Sequence, residues 1–299
     1  MHMVTVSSNR ILRAATYVEK GGVGKTTTSA HVAVAAEREH DLNVLLVDLA
    51  GKQNDLSTHF GMNDEVDDID APISAIFGED WEFIRDNIPD VVDRMVYDTG
   101  EGIDLIPADP GLGGADNNLA NVPVEERFSK LNEFITEDLS DRYDFVLLDL
   151  PGKEDNIALN GLFAARNVIA PLKPGAFERN QLDNLRDDLD DLHNEHPIDP
   201  QLAMVIPTMV KSSTNLSKEF VAELQEAYPD QAAPVPVPNS QDISKKQNEG
   251  CTLFAVPEDE LYNTGQRVLN AYRENTTELL NRLTETNEPR QSRKAPPEQ

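Results

Sequence analysis

The stretch KGGVGKTT, residues 20–27, follows an apolar run over 11–18 and opens a segment of helical character that reaches Arg38. A glycine-rich turn between strand and helix aims several backbone N–H groups at one point, and the helix dipole adds partial positive charge there. Gly21, Gly22, Val23, Gly24 and Thr27 are therefore expected to cradle a phosphate chain. Lys25 would reach its β- and γ-phosphates, and the Thr26 hydroxyl would ligate magnesium. The pattern departs from the usual G-x-x-x-x-G-K-[ST] loop. Glu19 stands where the first glycine belongs, with an extra lysine, Lys20, beside it.

Two more segments carry matching chemistry, VLLVDLAGKQNDLS over 44–57 and YDFVLLDLPGKEDN over 143–156. Each sets an aspartate, Asp48 or Asp149, at the end of an apolar run, where a carboxylate can hold magnesium opposite Thr26. One strand-end aspartate alone reads better as a cap or turn; two beside this loop read as metal ligands. Lys52 and Lys153, each in a Gly-Lys pair, fit either a phosphate contact or solvated surface.

These residues need a scaffold that brings strand ends together. Short runs rich in Val, Ile and Leu at 14–18, 44–48, 103–107, 145–150, 168–171, 203–207 and 233–237 predict strands. Helical patterns at 26–38, 124–137, 158–164, 178–193, 217–227 and 260–283 fill the gaps. Apolar runs without alternation suit strands buried on both faces. The alternation predicts one α/β domain, a doubly wound and mostly parallel sheet with helices on both faces, over 11–283. Ligands then sit outside the carboxyl ends of the strands, where strand order reverses. Residues 61–101, rich in acid, read as a helical excursion. Residues 1–10 and the polar stretch 284–299 are expected to be disordered.

The chain has 299 residues, 54 acidic against 26 basic, for a formal net charge of −28. The acids are spread along its length, and lysines are fewer than arginines. Self-repulsion of this size is tolerable where salt screens it, so the surface reads as adapted to very high salt, as in a halophile. A single cysteine, Cys251, excludes an intrachain disulfide and a thiolate-rich metal site. The histidines show no ligand spacing. With no long apolar run and no secretory leader pattern, a soluble cytoplasmic protein without a membrane anchor is expected.

KGGVGKTT resembles the deviant Walker A motif of the ParA/MinD family of ATPases, and the likeness extends over 11–283, nearest to ParA-type, Soj-like partition ATPases. The two aspartate segments correspond to that family's Walker A′ and Walker B. The stretches 105–119, 169–182 and 237–254 also match. The resemblance implies an ATP- and Mg²⁺-dependent homodimer that sandwiches nucleotide, with Lys20 reaching across to the other subunit's phosphates. It further implies a ParB-like activator, non-specific DNA as matrix, and a slow ATPase in chromosome or plasmid partition. Thr208, Met209 and Pro238 become adenine-site candidates. Lys211, Lys218, Lys245 and Lys246 become DNA-binding candidates, while Ser213 and Asp242 fall where relatives often carry arginine. One departure bears on catalysis. The family's second Walker A′ aspartate, which helps position water, is Ala50 here, leaving Gln53 and Asp55 as substitutes. Positioning of another cargo, or an ATP-binding switch with little hydrolysis, stay open. A MinD-type membrane cycle is disfavoured because the C-terminus lacks an amphipathic face. An iron–sulfur-bridging reductase would need paired cysteines.

Overall fold

The computed structural model describes residues 11–51, 55–66, 69–175, 186–187, 189–194, 196 and 198–287. Seven strands form one sheet: β1 Leu12–Thr16, β2 Val44–Asp48, β3 Tyr97–Asp98, β4 Asp104–Ile106, β5 Phe145–Asp149, β6 Asn167–Leu172 and β7 Gln201–Pro207. Their order is β3-β4-β2-β5-β1-β6-β7, and only the β3–β4 pair is antiparallel. The central strands are buried on both faces, as their uninterrupted apolar runs require. Leu45, Val47, Val146 and Leu148 face one core with Leu131, Phe134 and Leu162. Leu46, Phe145 and Leu147 face the other, packed on the alanines of α1 (Lys25–His40) and on Leu279, Leu280 and Leu283 of the terminal helix Asn263–Asn287. Small residues on α1 let this helix approach the sheet and the terminal helix together.

Four expectations need correction. Residues 233–237 are no strand. Pro234, Pro236 and Pro238 remove every second donor, so the segment follows the β7 edge through the N–H groups of Ala233 and Val237 alone. Asn275 of the terminal helix takes the place of a further strand, bonding both Val235 N (3.0 Å) and Val235 O (2.8 Å). The seventh strand is instead β3, at the end of the acidic excursion. That excursion is helical at Ile73–Phe77, α3 (Trp81–Asn87) and Asp93–Met95 before it pairs antiparallel with β4.

The helix expected at 124–137 is also broken. After α4 (Leu112–Leu119), α5 (Val124–Arg127) stops at Phe128 and α6 (Lys130–Phe134) passes into a π turn, Ile135–Leu139. The carbonyl of Arg127, freed at the break, accepts from Asn160 Nδ2 at 2.9 Å, a side chain on α7 (Asn156–Ala165). The terminal helix runs on to Asn287, past the expected end at Leu283. Of the helix expected at 178–193, residues 178–185 lie outside the described residues.

Candidate nucleotide site

The carboxyl ends of β1, β2 and β5 meet in register: Thr16 is the Cα partner of Asp149, and Asp149 of Asp48. Both aspartates are about 1% exposed. The Thr26 hydroxyl donates to Asp149 Oδ2 at 2.8 Å. Ser29, three residues on and so on the same helix face, places its hydroxyl 2.9 Å from Asp149 Oδ1. The backbone N–H of Ala50 donates to Asp48 Oδ1 at 2.9 Å. Burial raises the pKa of Asp48, and the neighbouring charge of Asp149 adds to it, against backbone N–H bonds from Ala50 and Leu56. Burial likewise raises Asp149, opposed by hydrogen bonds from Thr26 and Ser29 and by Lys25.

The loop above these carboxylates holds its shape through left-handed glycines, Gly22 at φ 69° and Gly24 at φ 91°, the latter capping α1. Gly24's conformation, adverse for an L side chain, turns the first helical N–H groups into the cleft. Lys25 Nζ donates to Lys20 O at 2.7 Å and Val18 O at 3.3 Å, folding over its own loop. Burial lowers its pKa, and Asp149 opposes the shift. A Cβ on Gly152, in the loop after β5, would lie 2.7 Å from that Nζ, so the loop approaches as closely as glycine permits.

The resulting cleft has a volume of about 490 Å³ and is lined by Gly21, Gly22, Gly24, Lys25, Thr26 and Thr27 on one wall. Asp48, Ala50, Asp55 and the 150–153 loop form the other. Asp55 opens the short helix α2 (Asp55–His59). Lys153 lines the cleft rim and pairs with Asp155 at 2.5 Å. Lys20 is not among the lining residues. Gln53 and Lys52 lie outside the described residues.

The adenine candidates separate. Thr208 is buried, and its hydroxyl donates to Val23 O at 2.8 Å, so it pins the phosphate loop to the end of β7. Met209, at φ 52° and 42% exposed, sets its terminal methyl 3.7 Å from where a Gly24 Cβ would stand. Pro238 bridges to Val210. Of the DNA candidates, Lys211 and Lys218 are exposed. Lys245 and Lys246 both turn to Glu249, at 4.0 and 2.7 Å. Asp242 is buried and accepts the Tyr262 N–H at 3.0 Å, a structural role at the start of the terminal helix. Ser29, Gly152 and Thr208's strut were not anticipated; only Ser29 left a trace, its three-residue spacing from Thr26.

The AAA_31 family, an AAA domain, matches residues 13–204, from the first strand through the phosphate loop and both aspartates. The chain belongs to this family. The sporulation initiation inhibitor Soj of Bacillus subtilis is 28% identical over 232 residues, 78% of this chain and 86% of the relative. The chromosome partitioning protein ParA of Myxococcus xanthus is 28% identical over 269 residues, 89% and 87% of the two chains. Among solved structures, a cobyrinic acid a,c-diamide synthase of Mycobacterium smegmatis with bound ATP analog and magnesium is 26% identical at a TM-score of 0.67, covering 89% of this chain and 93% of that one. The chain is thus a ParA-family P-loop ATPase with a seven-stranded α/β fold. Among its described residues no helix is long and apolar enough to cross a membrane.

Proposed function

We propose that this protein is an ATP-gated, dimerising ATPase of the ParA type, which binds Mg²⁺-ATP in the cleft and acts in chromosome or plasmid partition by holding DNA non-specifically. The observation that carries the reading is the register of Asp48 with Asp149 beneath Lys25 and Thr26. Two buried carboxylates side by side, with one ammonium for company, are unfavourable unless a cation joins them. A hydroxyl and two carboxylates are the hard oxygen donors that magnesium prefers. Thr26, Asp48 and Asp149 would hold the ion, which when bound neutralises phosphate charge.

Lys25 swings from its loop carbonyls onto the β- and γ-phosphates, and the N–H groups at the start of α1 hold the phosphate oxygens. Lys20, in the deviant Walker A position, acts on the partner subunit's nucleotide. Met209 and Pro238 flank the base, while Thr208 acts through Val23. A ParB-like protein stimulates turnover, and the acidic surface suits a halophile's cytoplasm. Lys211 and Lys218 are the better-placed DNA contacts, because Glu249 pairs closely with Lys246 and lies within reach of Lys245, offsetting part of their charge.

A second reading, an ATP-binding switch with little hydrolysis, is favoured by one observation. Ala50 lines the cleft with a methyl group where the family's water-positioning carboxylate belongs. Asp55, across the same wall, is the described side chain that could replace it. Steady-state ATP turnover with and without DNA, in molar KCl, separates the two. The ATPase reading expects slow turnover raised by Ala50→Asp and abolished by Lys25→Ala. ATP binding without turnover in the wild type and in Ala50→Asp favours the switch.

A further inference from the structure

At the opposite end of the sheet from the cleft, the interior strand β1 carries an arginine, Arg13, as its second residue. Arg13 is only partly exposed, and its guanidinium reaches across to α6 and the π turn. It donates from Nη1 to Asn132 Oδ1 at 2.8 Å and from Nη2 to Thr136 Oγ1 at 3.0 Å. Both acceptors are neutral. Arg166 ends α7 at φ 59° and is exposed, held in place by its N–H to Leu162 O and its carbonyl to Gln201 N. β6 begins at Asn167 and pairs with β1 through Ala15 and Thr16, so Arg166 enters the sheet alongside the start of β1. Asn167 Nδ2 locks that junction by donating to Arg13 O at 3.0 Å.

In a chain of net charge −28, carboxylates are the easiest neighbours to supply. Yet among the described residues neither guanidinium forms an ion pair, and the charge that Arg13 feels is the like charge of Arg166. Burial first, and then Arg166, lowers the pKa of Arg13 to about 10. A desolvated guanidinium is costly without a counter-charge. Its two bonds to neutral oxygens leave N–H groups unspent, Asn132 Nδ2 is a further donor beside them, and Arg166 supplies a whole fork. Paired guanidinium forks match the planar and tetrahedral faces of an oxyanion.

We propose that Arg13 and Arg166, with Asn132 Nδ2, form a second anion site that takes a small phosphate-class oxyanion at the amino end of the sheet. It is separate from the phosphate loop and does not rest on the nucleotide reading. Partial burial keeps the attraction effective in concentrated salt, where exposed lysines lose theirs.

The test is titration of nucleotide-free protein with inorganic phosphate, by calorimetry at constant ionic strength with chloride as the balancing anion. Lys25→Ala removes the cleft's main cation and leaves this site intact, so that variant is expected to bind one phosphate. Adding Arg166→Gln to it should weaken that phosphate at least tenfold. Arg166 is exposed, so this variant is expected to fold even if Arg13→Met does not. Phosphate should also raise the melting temperature of Lys25→Ala but not of the double variant. If Lys25→Ala binds no phosphate, or the double variant binds it unchanged, the site does not exist. If Arg13→Met lowers the melting temperature while Arg166→Gln leaves phosphate binding untouched, Arg13 is only a tether of α6 to β1 and the proposal is overturned.

Discussion

Asp48 and Asp149 are Cα partners in adjacent parallel strands, so two buried carboxylates share the floor of the cleft. Parallel register forces the proximity: both strands enter the cleft at the same height and end on the same residue type. The like charge of Asp149 therefore weighs on Asp48 in the nucleotide-free protein, a repulsion that the proposed magnesium would relieve.

The first prediction is a trade of stability against binding. Both folded-state pKa values are raised, so the stability these groups lend is complete below the ordinary carboxylate range and is lost as pH rises toward neutrality. Asp48→Asn should raise the stability of the nucleotide-free protein at pH 8 by about 1–3 kcal/mol, since each tenfold change in proton affinity between the folded and unfolded chain is worth about 1.4 kcal/mol. Thermal melts at pH 5 and pH 8 check this. The gain should shrink at pH 5, and magnesium should stabilise the wild type but not the variant.

A buried histidine pair predicts the opposite limb of the pH profile. His31 bonds Thr27 O through Nδ1 at 2.8 Å and accepts the Leu253 N–H at Nε2, which fixes a neutral tautomer stacked on Tyr272. His59, on α2, meets His31 edge-on at 5.6 Å, with no partner for either ring nitrogen among the described residues. Burial lowers His31 to about 3 and His59 to about 4. The unfolded chain then binds protons that the folded one does not, so stability should fall as pH drops from about 6.5 toward 4. His59→Leu should flatten that limb and add about 1–3 kcal/mol at neutral pH by removing unpaired polar atoms. Urea melts across pH 4–7 measure both effects.

Thr208→Val tests the strut beneath the phosphate loop. The substitution keeps the shape and removes the bond to Val23 O, at a cost of about 1 kcal/mol. Nucleotide affinity, by fluorescent-ATP titration, should drop several-fold with the base contacts untouched. An unchanged affinity would mean that the loop holds its form without it.

Gly152→Ala tests how closely the two loops meet. The new methyl displaces the Lys25 ammonium, the flexible end of a long side chain, so folding should survive. Loss of Lys25's placement should weaken ATP at least tenfold with little change in melting temperature. A folded variant with wild-type affinity would show that Lys25 leaves its loop carbonyls by another path.

Much of this site is legible in the sequence because its chemistry sits at strand ends, where apolar runs stop at a glycine turn or an aspartate. Asp48, Asp149 and residues 20–27 are of that kind, and the parallel sheet follows from the alternation of strands with helices. Contacts between segments distant in sequence are not legible. Thr208 lies at the end of β7, and nothing local says that its hydroxyl turns to Val23. Asn160 rescues a helix break 33 residues away, which the apolar periodicity over 124–137 conceals. The prolines at 234, 236 and 238 are visible and argue against a strand there, more strongly than the valines between them argue for one. Asp242, expected where relatives often carry arginine, is a buried acceptor whose partner, the Tyr262 N–H, lies 20 residues further on.

The most direct test is ATP-dependent dimerisation, followed by light scattering alongside ATP binding in molar KCl, for wild type, Lys25→Ala and Lys20→Ala. The wild type is expected to bind ATP and dimerise, Lys25→Ala to do neither, and Lys20→Ala to bind ATP yet stay monomeric. Unchanged ATP affinity in Lys25→Ala, or normal dimerisation of Lys20→Ala, would contradict the ATP-sandwich reading.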